Sequence, residues 1–231
     1  MKTIGLIGGM TCESSCEYYR LINEITRSKL GGIHSASSVM ISVDFAVIES
    51  LMEAGKWDEI LDILVECAHN VEKAGADFLV LCTNTMHKLA DDIQIHTEIP
   101  ILNIIDAAAD QIIDREFNTI GLLGTRFTME EDFYKDRLKE EHGLEVLIPS
   151  PGEIETIHRV IVKELSIGKI RESSKKLYWQ IINRLADRGA QGILLGCTEI
   201  PLLVHEKEGN IPLFDTTLIH ATAAVEYALN S

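Results

Sequence analysis

DFLVLCTNT, residues 77–85, and QGILLGCTE, residues 191–199, decide the fold of this chain. Each is an apolar run of strand length that stops at a small polar cluster, and each follows a Gly-Ala pair, Gly75-Ala76 or Gly189-Ala190. Two more matches lie outside them in the same order. Ile4-Gly5-Leu6-Ile7-Gly8 matches Ile120-Gly121-Leu122-Leu123-Gly124, and Ile99-Pro100-Ile101 matches Ile211-Pro212-Leu213. Three matches at nearly constant offset predict two homologous halves. Counted without gaps from the Gly-Ala pairs, Cys197 falls opposite Thr83, not opposite Cys82. Neighbouring strand residues point to opposite faces. If Cys197 faces the ligand side of its half, so does Thr83, and Cys82 points back into its own core.

Between these marks, strand-like runs alternate with amphipathic stretches. TIGLIGG leads into ESSCEYYRLINEITRSKL, where Tyr18, Tyr19, Ile22 and Ile25 recur at helical spacing. SSVMISVDF reads as a strand, WDEILDILVECAHNVEKAG as a helix ending at Gly75, IPILNII as a strand and DAAADQIIDR as a helix. The second half runs through NTIGLLGTRFT, helix EDFYKDRLKEEHG and strand EVLIPS. Helical stretches follow over 154–166 and on to Gly189, then strands GILLGCT and IPLFDT and a last helix. This alternation predicts an α/β fold of two pseudo-symmetric lobes, each a mainly parallel sheet flanked by helices, with the active site in the cleft between them. The lobes are expected at residues 1–116 and 117–231, the last helix being free to pack on the first lobe.

Bulk properties exclude several classes. With 231 residues the chain can bury a substantial core, and 46% hydrophobic with 25% charged residues fits a soluble globular protein. A formal charge of −15 opposes binding along a nucleic-acid backbone. No apolar run reaches transmembrane length, and MKTIGLIGGM reads as a buried strand instead of a secretion signal. Cys12, Cys16, Cys67, Cys82 and Cys197 form no zinc-like spacing. An odd, scattered set predicts a reduced, cytoplasmic protein with neither disulfides nor a metal.

Ligands of parallel sheets bind beyond the carboxyl ends of the strands. Four such ends are polar here: GGMT, CTNT, GTRFT and GCTE. GLIGGM lacks the glycine spacing of a dinucleotide fingerprint, so a small anion held by amides and hydroxyls is the better expectation, and no cofactor is called for. Met10, Asn84, Thr85, Thr125, Thr198 and Glu199 are the expected substrate-binding residues, with Thr128 a further donor. Lys163 or Arg126 is the cation expected for a second carboxylate. Cys197 stands at a polar strand end near an expected helix start, which would stabilise a thiolate. His87, four residues past Thr83, reads either as an orienting residue or as a structural one. Cys12, Cys16 and Cys67 read as packing residues.

At these motifs the chain resembles the aspartate/glutamate racemase family. The likeness covers essentially the whole chain, through GLIGGM, ESSCEYYRLIN, CTNTMH, GLLGTRFTM, GCTEIPLL and DTTLIHA. It implies cofactor-independent 1,1-proton transfer between two cysteines flanking the substrate α-carbon, in a protein that is often a homodimer. Cysteine suits this task because a thiol near its ordinary pKa of ~8.5 serves either as base or as acid.

The departure falls on the catalytic pair. The family pattern has Cys directly before Asn-Thr, whereas Thr83 precedes Asn84-Thr85 here. The resemblance implies Cys197 as base for the L-isomer, with the weakly acidic Thr83 in place of the first cysteine. The expected activity is therefore racemisation of aspartate or glutamate, biased towards L-to-D conversion. The lost cysteine leaves two alternatives open: a single-cysteine decarboxylase or isomerase of the same superfamily, or a non-catalytic small-carboxylate-binding protein.

Overall fold

A computed structural model describes residues 1–230, which divide into two compact units. The first comprises residues 1–103 and the chain from His220 onward, and the second Ile104–Ile219.

In the first unit, β1 (Ile4–Gly8) lies between β2 (Ser38–Ser42) and β3 (Phe78–Leu81), all parallel. Ile4 pairs with both Ser38 and Phe78. IPILNII, expected as a strand, contributes one parallel bridge from Ile101 to Leu79. Leu79 donates to Pro100 O and accepts from the Leu102 N–H, and the chain then turns helical at Ile104. Alternation sorts the sheet's side chains cleanly. Ile4, Leu6, Phe78, Val80 and Cys82 pack with α1 (Cys12–Leu30) and α10 (Thr216–Leu229). Ile7, Leu79 and Leu81 pack against α3 (Trp57–Lys73). The α3 residues that meet them are Ile60, Leu64, Cys67, Ala68 and Val71, one helical stripe. A helix after the second strand went unread in the sequence. Asp44 accepts the Ala46 N–H at 3.1 Å and caps α2 (Phe45–Glu53), so the second strand ends before the expected Phe45. A 3-10 turn (Thr85–Leu89) and α4 (Ala90–Ile95) follow β3.

The second unit holds β4 (Thr119–Gly124), β5 (Glu145–Leu147), β6 (Gly192–Gly196) and β7 (Leu213–Asp215) in the order β5-β4-β6-β7, again all parallel. With the Ile101 bridge counted as a fourth position, the first sheet has the same order, as the internal repeat requires. Its helices are α5 (Ile104–Ile113), α6 (Arg126–Glu130), α7 (Asp132–Asp136), α8 (Pro151–Lys163) and α9 (Glu172–Asp187). The expected helix 131–143 is divided: α7 gives way to a π-turn over 137–141. Pro151 and the Glu153 carboxylate, which accepts from Ser150 N and Oγ, start α8.

The division between the two compact units falls between Asn103 and Ile104. Two contacts explain why α5 goes with the second unit. Its Ile104, Ile105, Ala108, Ala109 and Ile112 join that unit's core. Arg137 also clamps the Asp106 carboxylate through two hydrogen bonds of 2.7 and 2.8 Å, and His142 adds a third at 2.9 Å. Burial alone would raise the Asp106 carboxyl, but these partners outweigh it and hold it below the usual range. No helix among the described residues is long and apolar enough to cross a membrane.

Candidate active site

The turn after β1 leaves no room for a side chain. A Cβ on Gly8 would lie 2.6 Å from Ser15 Oγ, and one on Gly9, at φ 90°, would lie 2.2 Å from Val43 O. Gly9 N–H donates to Ser15 Oγ at 2.7 Å, and Ser15 Oγ donates to Thr11 O at 2.9 Å. Thr11 Oγ1 in turn accepts the Ser14 N–H. Ser15 and Thr11 thus satisfy the amides of Gly9 and Ser14. Met10 is buried, its side chain packed in the core with Ile7, Ile48 and Leu89.

Cys82 is fully buried in the α1–α10 layer with Phe78 and Val80, and burial pushes its thiol far up. Its N–H donates to Ile7 O and its carbonyl accepts from Ser14 Oγ at 3.1 Å, tying strand end to helix start. Thr83 is the next residue, in a tight turn beyond the end of β3, with its N–H to Leu81 O at 2.8 Å. Thr83, Asn84, Thr85 and His87 are all buried polar residues. His87 Nδ1 donates to Thr83 O at 2.8 Å.

In the second unit, Gly124 of β4 pairs with Gly196 of β6, so Thr125 and Cys197 leave the sheet side by side. The pairing is tight, as a Cβ on Gly124 would come within 2.8 Å of Gly196 O. Thr125 Oγ1 accepts the Thr128 N–H and caps α6. Cys197, Thr198 and Glu199 are buried. One oxygen, Glu199 Oε2, accepts both the Cys197 Sγ–H and the Thr198 Oγ1–H, each at 2.9 Å.

This contact works against the expected thiolate. Pro201 lies in the three-residue turn Ile200–Leu202, too short for a helix dipole, and the Thr198 and Glu199 backbone N–H groups, which favour the thiolate, do not outweigh burial and the Glu199 charge. Burial, the Glu199 charge and its hydrogen bond all push the Cys197 thiol well above its ordinary value. Tyr178 of α9, unread in the sequence, is fully buried and donates to Ile157 O. Burial raises its phenol strongly, and charge on Cys197 adds to the effect. Lys163 and Arg126 are exposed; Lys163 has no ion-pair partner among the described residues. His158, also unread, accepts the Arg126 N–H and steadies the turn after β4.

The arrangement is a buried thiol with a proton acceptor in contact, at a polar strand end of a repeated parallel sheet. The family model of the Asp/Glu/hydantoin racemases matches residues 7–224. This chain belongs to that family. Membership makes it an isomerase of the racemase class. Solved relatives agree across its full length. A Yersinia pestis protein classed with the Asp/Glu racemases is 49% identical, with a TM-score of 0.93 over 99% of this chain and 100% of that one. An aspartate racemase homologue from Pyrococcus horikoshii OT3 is 35% identical, with a TM-score of 0.86 over 99% and 100%. The broad specificity amino-acid racemase RacX of Bacillus subtilis strain 168 is 24% identical over 168 residues, 73% of this chain and 72% of its own.

Proposed function

We propose that this racemase-family chain interconverts the enantiomers of aspartate or glutamate by cofactor-independent 1,1-proton transfer, with Cys197 as base for the L-isomer and Thr83 in the place of a first cysteine. The observation that carries the reading is the Cys197–Glu199 contact, because it gives an otherwise inert buried thiol a route for its proton. The pair holds one negative charge and one mobile proton. Passing that proton to Glu199 creates a thiolate without changing the site's net charge. The thiolate then removes the α-proton of an L-substrate, the carbanion takes a proton on its other face from Thr83 as water reprotonates that hydroxyl, and Glu199 releases its proton to solvent. Hydroxyl and amide groups of Asn84, Thr85, Thr125 and Thr198 are the donors for the substrate carboxylate in this reading. Lys163, exposed and without an ion-pair partner among the described residues, is the cation for the side-chain carboxylate in this reading.

The bias to L-to-D conversion follows from acid strength. A Thr hydroxyl can relay a proton from water to a carbanion, taking one as it gives one up and leaving hydroxide in solvent, whereas the reverse abstraction needs hydroxide to draw the α-proton back through that weakly acidic hydroxyl. Enantiomers in water have an equilibrium constant of one, so kcat/KM must be equal in the two directions. The bias therefore resides in kcat at saturation and in isotope exchange. The reading includes a homodimer, which sedimentation equilibrium tests, and a cytoplasmic setting, supported by five free cysteines. The direct test is α-proton exchange and chiral product analysis with each enantiomer. Loss of L-exchange in Cys197→Ser is the expected result, and retained exchange overturns the assignment.

A further inference from the structure

Thr83 leaves β3 on a turn that no α-helix completes. In an α-helix its carbonyl would accept the N–H of residue 87. Here the His87 N–H turns to Asn84 O at 3.0 Å, because Thr85–Leu89 is a 3-10 turn. The Thr83 carbonyl is met instead by the His87 side chain, with Nδ1 at 2.8 Å. A carbonyl only accepts, so Nδ1 carries the hydrogen. Thr83 and His87 are 8% and 5% exposed, so water is a poor substitute for this bond.

Behind His87 stands His220, edge to face, with ring centroids 5.7 Å apart. His220 is fully buried, and both its ring nitrogens are engaged. Nε2 donates to Leu102 O at 2.8 Å, which leaves Nδ1 to accept the Tyr18 hydroxyl, also at 2.8 Å. Tyr18 comes from α1, His220 from α10 and Leu102 from the segment beyond the Ile101 bridge. Three elements thus converge to hold one ring at a fixed angle. Apolar packing would need neither nitrogen, and a phenylalanine would fill the space without a polar group to satisfy.

We propose that His87 is a positioning residue for Thr83, with His220 as the rigid wall that sets the plane of its ring. The inference rests on the reading of Thr83 as the group that protonates the carbanion. Rotation of the Thr83 peptide swings Oγ1 away from its target, and proton transfer tolerates little displacement. A misplacement of about 1 Å can cost ~100-fold in rate. Exchange at the L-face, which Cys197 performs alone, is unaffected by that rotation. The quantity that isolates the effect is the ratio of D-product formed to deuterium gained by L-substrate in D2O.

The experiment measures this ratio with L-aspartate and L-glutamate for wild type, Thr83→Ala, His87→Phe, His87→Asn and the double variant Thr83→Ala/His87→Phe. His87→Phe keeps the ring but deletes the donor, and His87→Asn keeps a short donor without the ring. The expected result is a fall in the ratio of ~10-fold or more in His87→Phe, with L-exchange within ~3-fold of wild type. His87→Asn should recover the ratio to within ~3-fold, and the double variant should fall no further than Thr83→Ala alone. An unchanged ratio in His87→Phe, or equal losses of exchange and inversion, overturns the positioning role while leaving Thr83 in place. An unchanged ratio in Thr83→Ala overturns the Thr83 assignment itself, and the inference with it. Should His87→Phe not fold, His87→Leu, which also deletes the donor, decides: a fall in the ratio of ~10-fold with L-exchange retained supports the role, and an unchanged ratio overturns it.

Discussion

The Cys197 thiol donates a 2.9 Å hydrogen bond to Glu199, two residues along the chain and equally buried. A carboxylate in this place opposes a resting thiolate, since it raises the thiol's pKa by charge and by hydrogen bond. It does provide a nearby site for the proton during turnover. These two effects separate on substitution. Glu199→Gln removes the charge, so the Cys197 pKa falls and alkylation by iodoacetamide at fixed pH speeds up. Turnover should move the opposite way, dropping by ~100-fold or more because an amide cannot take the proton. If both rates rise together, Glu199 is only an electrostatic brake.

Thr83 makes a second substitution informative. Thr83→Cys places a thiol where the repeat puts the partner of Cys197. Exchange of the D-isomer's α-proton should rise by ~10-fold or more, with L-exchange little altered. NMR in D2O with the D-isomer alone reads the effect, and an unchanged D-exchange rate places the D-face group elsewhere.

Cys82 should act on stability alone. Its side chain lies in the α1–α10 layer with no exposure, so Cys82→Ala opens a small cavity costing about 1 kcal/mol. Cys82→Ser buries a hydroxyl in the same apolar setting and should cost more, about 1–3 kcal/mol. Both variants should keep D-isomer exchange within ~3-fold of wild type. Urea midpoints and exchange rates together check this, and a selective loss of D-exchange would make Cys82 the second base.

His220 predicts a pH signature of folding. Burial lowers its pKa from 6.5 to about 4, although the Leu102 carbonyl works in the other direction. Above pH 6.5 the ring is neutral both folded and unfolded, so the full stability is present. As pH falls from 6.5 to 4 the unfolded chain binds the proton first, and stability declines by up to about 3 kcal/mol. Below pH 4 this contribution stays flat. Replacing His220 with Gln should flatten the wild-type Tm profile between pH 6.5 and 4, and an identical slope in the variant would refute the assignment.

Much of this was legible in the sequence because it rests on local, periodic signals. Alternation along 78–82 places Cys82 with Phe78 and Val80, and the structure has the same grouping. The repeat of strand order could be read from three short matches. What escaped depends on long-range partners or on side-chain direction. Asp106 draws α5 into the second unit through Arg137, 31 residues away. Tyr18 and His220 meet across 202 residues. The rise of the Cys197 pKa depends on where the Glu199 carboxylate turns, and GCTEIPLL specifies only that a carboxylate is near. Asp44 and Thr125 were local signals passed over, each an N-cap at the end of an apolar run.

The central claim is that Cys197 is the single competent base and that it serves the L-isomer. Deuterium exchange at the α-carbon, measured by NMR in separate samples of L- and D-aspartate and L- and D-glutamate, tests it most directly. The account predicts rapid exchange from an L-isomer, slow exchange from its D-isomer, and abolition of the former in Cys197→Ser. Equal exchange from both enantiomers, or L-exchange that survives the loss of Cys197, would contradict it.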